Sequence, residues 1–257
     1  MPCEGSHLIF SPMSDKTPTV RLEVPKPAER SDASDVQAFL QKAKALSAGR
    51  APGTGRGRVI LALDATMSRQ PTWDLACTLQ AEMFDAVGRT DRLEVQLVYF
   101  RGMGECRASR FVNDTAHLKE LMTKIDCRGG HTQIGKVLTS AIKATAEQKV
   151  NALVYIGDAM EEEIDDLAAK AGRLGLSGVP VFLFQEGHDP TAERAFKEIA
   201  RLTKGAWFRF DRQAASTLAR LLSAIAIYAS GGYAALEARG KAEDRLLLEN
   251  LRGKGSR

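Results

Sequence analysis

The sequence lacks most marks of a secreted, membrane-spanning or nucleic-acid-binding chain. It holds four cysteines, at positions 3, 77, 106 and 127, with no Cys-x-x-Cys spacing. They supply neither a disulfide framework nor a zinc site and read as reduced thiols. No long hydrophobic run is present. The longest uncharged stretch, Leu221 to Leu236, is shorter than the ~18 residues a membrane span needs. Gly231 and Gly232 interrupt it, so a buried helix is expected there. Near the N-terminus the only apolar run is Leu8-Ile9-Phe10, with no h-region or small-residue cleavage site, so a cytoplasmic location is expected. Charge of one sign is missing too. Lys and Arg number 36 against 32 Asp and Glu, and within residues 58–230 the count is 22 against 22. The surplus of +4 lies in the tails, which disfavours a basic nucleic-acid groove in the core.

What is present suits one α/β domain with tails: 257 residues, 44% of them apolar and 26% charged. Residues 1–57 have the Pro, Ser, Lys and Glu content of a flexible tail around at most one short helix, Asp32 to Leu46, and end in Ala51-Pro52-Gly53-Thr54-Gly55. The twelve residues before Met13 show neither periodicity nor a packing face, which makes Met13 an alternative start to Met1. A folded domain is expected over 58–230 and a helical extension over 231–257.

From Arg58 onward, short β-branched runs alternate with amphipathic stretches. Val59 to Leu63 reads as a buried strand, followed by a helix that Pro71 starts and that runs through Val87. Leu93 to Phe100 and Cys106 to Val112 flank a glycine-bearing turn of hairpin length, Arg101 to Glu105. Asp114 and Thr115 can cap a helix to Ile125. A helix from Ile134 to about Glu147 leads to the strand Ala152–Ile156. Two more units follow, helix Glu163–Leu174 with strand Val181–Phe184 and helix Thr191–Thr203 with strand Ala206–Phe210, before a last helix from near Ala214. The fold class implied is α/β: a doubly wound, mostly parallel six-stranded sheet with one antiparallel edge strand and helices on both faces. In such sheets ligands bind beyond the carboxyl ends of the strands, where strand order reverses.

The residues at that edge have a definite chemistry. The first strand ends in Leu63-Asp64-Ala65-Thr66-Met67-Ser68, one carboxylate and two hydroxyls on alternate positions of a single loop. Thr132 lies in Gly129-Gly130-His131-Thr132 before a helix, and Asp158 follows the fourth strand. Oxygen donors without imidazole or thiolate suit a small hard cation, and two aspartates offset its two charges while leaving it able to accept an external carboxylate. Nothing in the set supplies a nucleophile, so a non-enzymatic binding role is expected.

These residues resemble the von Willebrand factor A (VWA) domain, whose metal-ion-dependent adhesion site (MIDAS) carries a DxSxS signature, a later Thr and a later Asp. Asp64-x-Thr66-x-Ser68, Thr132 and Asp158 match that order over roughly residues 58–211. Thr replaces the usual first Ser, and Asp158-Ala159 replaces the common Asp-Gly; both changes are compatible with metal binding. The resemblance implies a Rossmann-like VWA fold and a Mg²⁺- or Mn²⁺-dependent protein-protein interaction module. In that family Thr66, Ser68 and Thr132 would contact the metal directly, Asp64 and Asp158 through water, and a partner's acidic residue would complete the shell. It also implies an adaptor or scaffold role in a larger assembly, in some relatives beside an AAA+ ATPase; no membrane partner is expected, because no apolar stretch reaches the length of a membrane span.

Several features admit two readings. Gly130-x-x-x-x-Gly135-Lys136 looks like a phosphate-binding loop, but Val137 stands where Ser or Thr belongs and no strand precedes it. A metal-dependent phosphotransferase of the haloacid-dehalogenase type would want a second Asp where Thr66 stands. A structural or vestigial metal site, with the tails binding a partner or nucleic acid, is the other alternative. Glu161, Glu162, Glu163, Asp165 and Asp166 are extra ligands, a negative surface that selects partners or, on the favoured reading, occupants of their own helix's positive end. His131 either contacts a partner or faces solvent. Arg101-Gly102-Met103-Gly104 is a recognition rim or a plain turn, Cys106 and Cys127 are a redox pair or separate thiols, and Ala234–Leu251 pairs with a partner helix or packs on its own domain.

Overall fold

The computed structural model describes residues 56–66, 70–79, 85, 92–210 and 215–252. The expected helix over Asp32–Leu46, Cys3, Met13 and Ser68 lie outside the described residues. Strand β1, Gly57–Asp64, is buried along its whole length, as a continuous apolar run requires of a central strand covered on both faces. It pairs in parallel with β2, Leu93–Arg101, on one side and with β4, Ala152–Gly157, on the other. Strand β3, Glu105–Val112, returns antiparallel to β2 at the edge, with a register shift between Gln96 and Val98. Strands β5, Val181–Glu186, and β6, Ala206–Phe210, extend the parallel sheet, giving the order β3-β2-β1-β4-β5-β6. The expected sheet, hairpin included, is the observed one.

Alternation along β1 divides the core in two. Val59, Leu61 and Leu63 face helices α1, Gln70–Leu79, and α2, Thr115–Thr123, together with α6, Ala215–Arg239, and α7, Ala242–Leu251. Ile60 and Ala62 face α3, Ile134–Glu147, α4, Ile164–Leu176, and α5, Pro190–Thr203. The helix expected from Pro71 through Val87 is described as far as Leu79; residues 80–84 and 86–91 fall outside the description. Asp114 caps α2 as expected, its carboxylate accepting the His117 N–H at 2.7 Å.

By length and composition, Leu218–Arg239 could cross a membrane. In the fold it lies along the sheet, with Leu218, Leu222, Ile225 and Ala226 buried in the first apolar cluster. The expected boundary between residues 230 and 231 falls inside α6, close to its break at Gly232, whose φ of 67° suits glycine. It is not a packing boundary: Leu236, Leu247, Leu248 and Leu251 join the same cluster as β1. The stretch Ala234–Leu251 therefore packs on its own domain. The corner before α7 is held by the buried Asp244, which accepts the Lys241 N–H at 3.0 Å and Arg239 Nε at 2.8 Å.

Of the two readings of Cys106 and Cys127, the fold supports separate thiols, and both are free. Cys127 is buried in the first apolar cluster and Cys106 packs against the second, so the sheet stands between them. Alternating side-chain direction on a strand, invisible to loop placement, separates them. Burial pushes the Cys106 thiol up to about 11. The Cys77 thiol is also pushed up to about 11, by burial first and then by the nearby Asp74 and Cys127.

Candidate functional site

At the carboxyl end of β1 the chain turns on its own side chain. Asp64 Oδ1 accepts the Thr66 N–H at 2.8 Å, a bond spanning two residues that closes the loop tightly. Both residues are largely withdrawn from water, with relative exposures of 4% for Asp64 and 9% for Thr66. Ala65 between them is bonded on both sides: its N–H donates to Phe100 O and its carbonyl accepts from Arg128 N, each at 2.9 Å. The β1 loop is thereby fixed to the end of β2 and to the segment that leads to Thr132.

Asp158 arrives from β4. Leu63 pairs with Ile156, the last pair of the β1–β4 ladder, and Asp158 follows two residues later, just past the end of β4 at the same carboxyl edge of the sheet. Strands β1 and β4 flank the point from which the chain winds outward in both directions, where an open α/β sheet offers its crevice.

Thr132, 7% exposed, is bound to the loop after β4 in both directions. Its N–H donates to Glu161 Oε2 at 3.0 Å, and its Oγ1 accepts the Glu161 N–H at 2.9 Å. His131 Nδ1 lies 3.0 Å from the same Oε2, while its side chain remains 60% exposed. These contacts hold the Glu161 carboxyl below the usual carboxylate range, the Thr132 N–H contributing most. Just beyond, Ile134 N–H donates to Glu162 Oε2 at 2.6 Å and Gly135 N–H to Glu162 Oε1 at 2.8 Å.

The acidic run is thus partly reassigned. Asp165 and Asp166 do lie in the first turn of α4, as their sequence position implies. Glu161 and Glu162 precede that helix and serve the Thr132 loop and the start of α3 instead. Sequence reading gave them to α4, since acidic residues before a helix usually answer that helix. No local signal could have revealed partners 27–30 residues upstream.

The hairpin turn belongs to the same edge. His131 N–H donates to Gly102 O at 3.2 Å, Gln133 Nε2 to Arg101 O at 3.2 Å, and Lys136 Nζ to Gly104 O at 2.8 Å. Gly130 packs so closely on Gly102 that a Cβ there would overlap the Gly102 backbone. Met103, at the tip, is 82% exposed. Lys136, the lysine of the phosphate-loop-like string, is spent on Gly104 and on Gln133 Oε1, 3.0 Å away.

Asp64, Thr66, Thr132 and Asp158 therefore come from three loops joined by hydrogen bonds at one edge of the sheet. Carboxylate and hydroxyl oxygens are the donors that Mg²⁺ and Mn²⁺ favour, so the described residues fit such an ion. Among the described residues no three His, Cys, Asp or Glu side chains gather as a metal centre, so hydroxyl donors would be needed.

An open, doubly wound sheet with hydroxyls and carboxylates at its switch point defines the class. Solved structures then specify the fold. The chain is similar to an aerotolerance-related membrane protein from Bacteroides fragilis carrying serine mutations, at 21% identity and a TM-score of 0.50, over 64% of this chain and 98% of that one. It is similar to a von Willebrand factor type A protein from Catenulispora acidiphila at 18% identity and a TM-score of 0.55, over 68% of this chain and 43% of that one. The SpRpn10 VWA domain matches at 11% identity and a TM-score of 0.51, over 63% of this chain and 95% of that one. No protein-family model and no curated protein matches the chain. The chain has the VWA-type fold.

Proposed function

We propose that this protein is a non-enzymatic, divalent-metal-dependent protein-binding module of the VWA type, acting in the cytoplasm as an adaptor or scaffold. Asp64, Thr66, Ser68, Thr132 and Asp158 would hold Mg²⁺ or Mn²⁺. The bound ion would supply a Lewis-acidic position for an acidic side chain of a partner protein. One observation carries this reading: Asp64, Thr66 and Thr132, all hard-oxygen side chains, are nearly withdrawn from water at the switch-point edge.

The chain's own residues perform the positioning. Asp64 closes the β1 loop through the Thr66 N–H, the Arg128 N–H ties that loop to the Thr132 segment, and Glu161 ties Thr132 to the loop that carries Asp158. Loops held in this way present donors without first having to be ordered, which lowers the entropic cost of binding. Larger assemblies, including one with an AAA+ ATPase, remain part of the proposal through the VWA resemblance alone.

The test is thermal unfolding of the full chain with Mg²⁺, with Mn²⁺ and with EDTA, in wild type and in Asp64→Ala/Thr132→Ala. Binding to the folded state raises stability by about 2.7 kcal/mol at a hundredfold excess over Kd. Wild type should gain stability with metal and the double variant should not. Capture of a protein partner by wild type should require Mg²⁺ and survive truncation of residues 1–55. A wild type indifferent to both metals would rule out the metal site, and partner capture lost only on truncation would transfer the function to the tail.

A further inference from the structure

Helix α3 is capped from outside its own sequence. Its N-cap residue, Gln133, makes no side-chain bond to the helix amides and directs Nε2 to the hairpin carbonyls of Arg101 and Gly102, at 3.2 and 3.4 Å. The first-turn amides of Ile134 and Gly135 go instead to the two oxygens of Glu162, 28 and 27 residues downstream. A Cβ on Gly135 would come within 3.0 Å of Glu162 Oε1, so the glycine leaves room for this carboxylate.

Helix amides in this position carry partial positive charge and ordinarily take a Ser, Thr, Asp or Asn side chain, or an external anion such as phosphate. The string from Gly130 to Lys136 has the glycines and lysine of a phosphate cradle. Both of the amides it would offer at the start of α3 are filled by Glu162, and Lys136 is bound to Gly104 and Gln133.

We propose that Glu162 is a positioning residue that substitutes for an anion at the start of α3. It thereby excludes phosphate from this loop and locks Thr132, two residues before Ile134, to the loop after β4. The exclusion stands on the cap geometry alone, whereas the effect on metal binding rests on the function proposed above.

The experiment compares full-length wild type, Glu162→Gln and Glu162→Ala, each titrated separately with inorganic phosphate and with Mg²⁺ and followed by thermal shift and calorimetry. Phosphate should stabilise Glu162→Ala and leave wild type unchanged. Mg²⁺ affinity should fall by about tenfold or more in Glu162→Ala, the scale found for groups that orient metal ligands. Glu162→Gln, with one acceptor oxygen in place of two, should be intermediate. A merely structural role would lower stability without creating phosphate binding. Phosphate indifference in a folded Glu162→Ala would overturn the exclusion, and unchanged Mg²⁺ affinity would overturn the lock. A wild type indifferent to Mg²⁺ would overturn the proposed function, and the phosphate arm would still decide the role of Glu162. If Glu162→Ala fails to fold, amide exchange of wild type decides: Ile134 and Gly135 should be protected, and exchange at the unstructured rate would overturn the cap.

Discussion

Glu161 and Thr132 hold each other by both ends: the Thr132 N–H donates to Glu161 Oε2, and the Glu161 N–H donates to Thr132 Oγ1. The two residues belong to different loops, one leading into α3 and one leaving β4, so this pair joins two crossovers of the sheet. Its worth is local. The Glu161 side chain is 50% exposed, and half-exposed carboxylates contribute modestly to global stability.

Glu161→Ala should therefore loosen the loop more than the protein. We expect the Thr132 amide to exchange with solvent distinctly faster, while urea unfolding shifts by about 1 kcal/mol or less. Amide exchange and equilibrium unfolding on the same sample check this, and an unchanged Thr132 amide would contradict it.

Gly130→Ala tests the contact between the Thr132 loop and the hairpin. The new Cβ would meet the Gly102 backbone, which cannot swing aside as a flexible side chain could. A loss of about 1–3 kcal/mol is expected from forced backbone movement, measured by urea unfolding. Gly129→Ala, with open space around its Cβ, is the control and should cost far less.

Arg239→Ala tests the corner between α6 and α7. Asp244 is fully buried, and Arg239 neutralises it through Nε and a guanidinium nitrogen. Removing the arginine leaves a buried charge with only the Lys241 N–H among the described bonds to it, at an expected cost of about 3–5 kcal/mol. Thermal unfolding of the full chain should show a large drop. A shift within error would mean that α7 does not depend on this pair.

The two half-buried thiols predict a pH dependence. With their values raised to about 11, Cys77 and Cys106 stay protonated through neutral pH. Because the folded value is raised, the stabilising contribution is fully present below the unfolded thiol's value and fades as pH climbs toward 11. Alkylation at pH 8, mapped by mass spectrometry, should be slow at both positions in the folded protein and fast after unfolding, since only about one thiol in a thousand is then ionised. Rapid labelling of native Cys106 would overturn the assignment.

Much of the architecture was legible because it depends on local pattern. The apolar run Val59 to Leu63 could only be a strand covered on both faces, and the turn at Gly102 and Gly104 could only join neighbours antiparallel. The order of Asp64, Thr66, Thr132 and Asp158 at element ends pointed to one edge of the sheet, and their loops meet there. Cys106 and Cys127 show where such reasoning stops. Both were correctly placed at that edge, yet they point to opposite faces, and a face is settled by register rather than by sequence position.

By itself, the sequence determined the six strands, the helices that cover them among the described residues, their winding and the hard-oxygen character of the candidate donors, since periodicity and residue chemistry act over a few neighbours. Tertiary structure alone decided that Glu161 and Glu162 serve the Thr132 loop and α3 rather than α4, and that Leu247, Leu248 and Leu251 fold back into the core. The physical reason is common to both. A carboxylate takes whichever unsatisfied amides the folded chain brings within 3 Å, and an apolar face takes whichever surface is left open. In each case the partner lies many residues away along the chain.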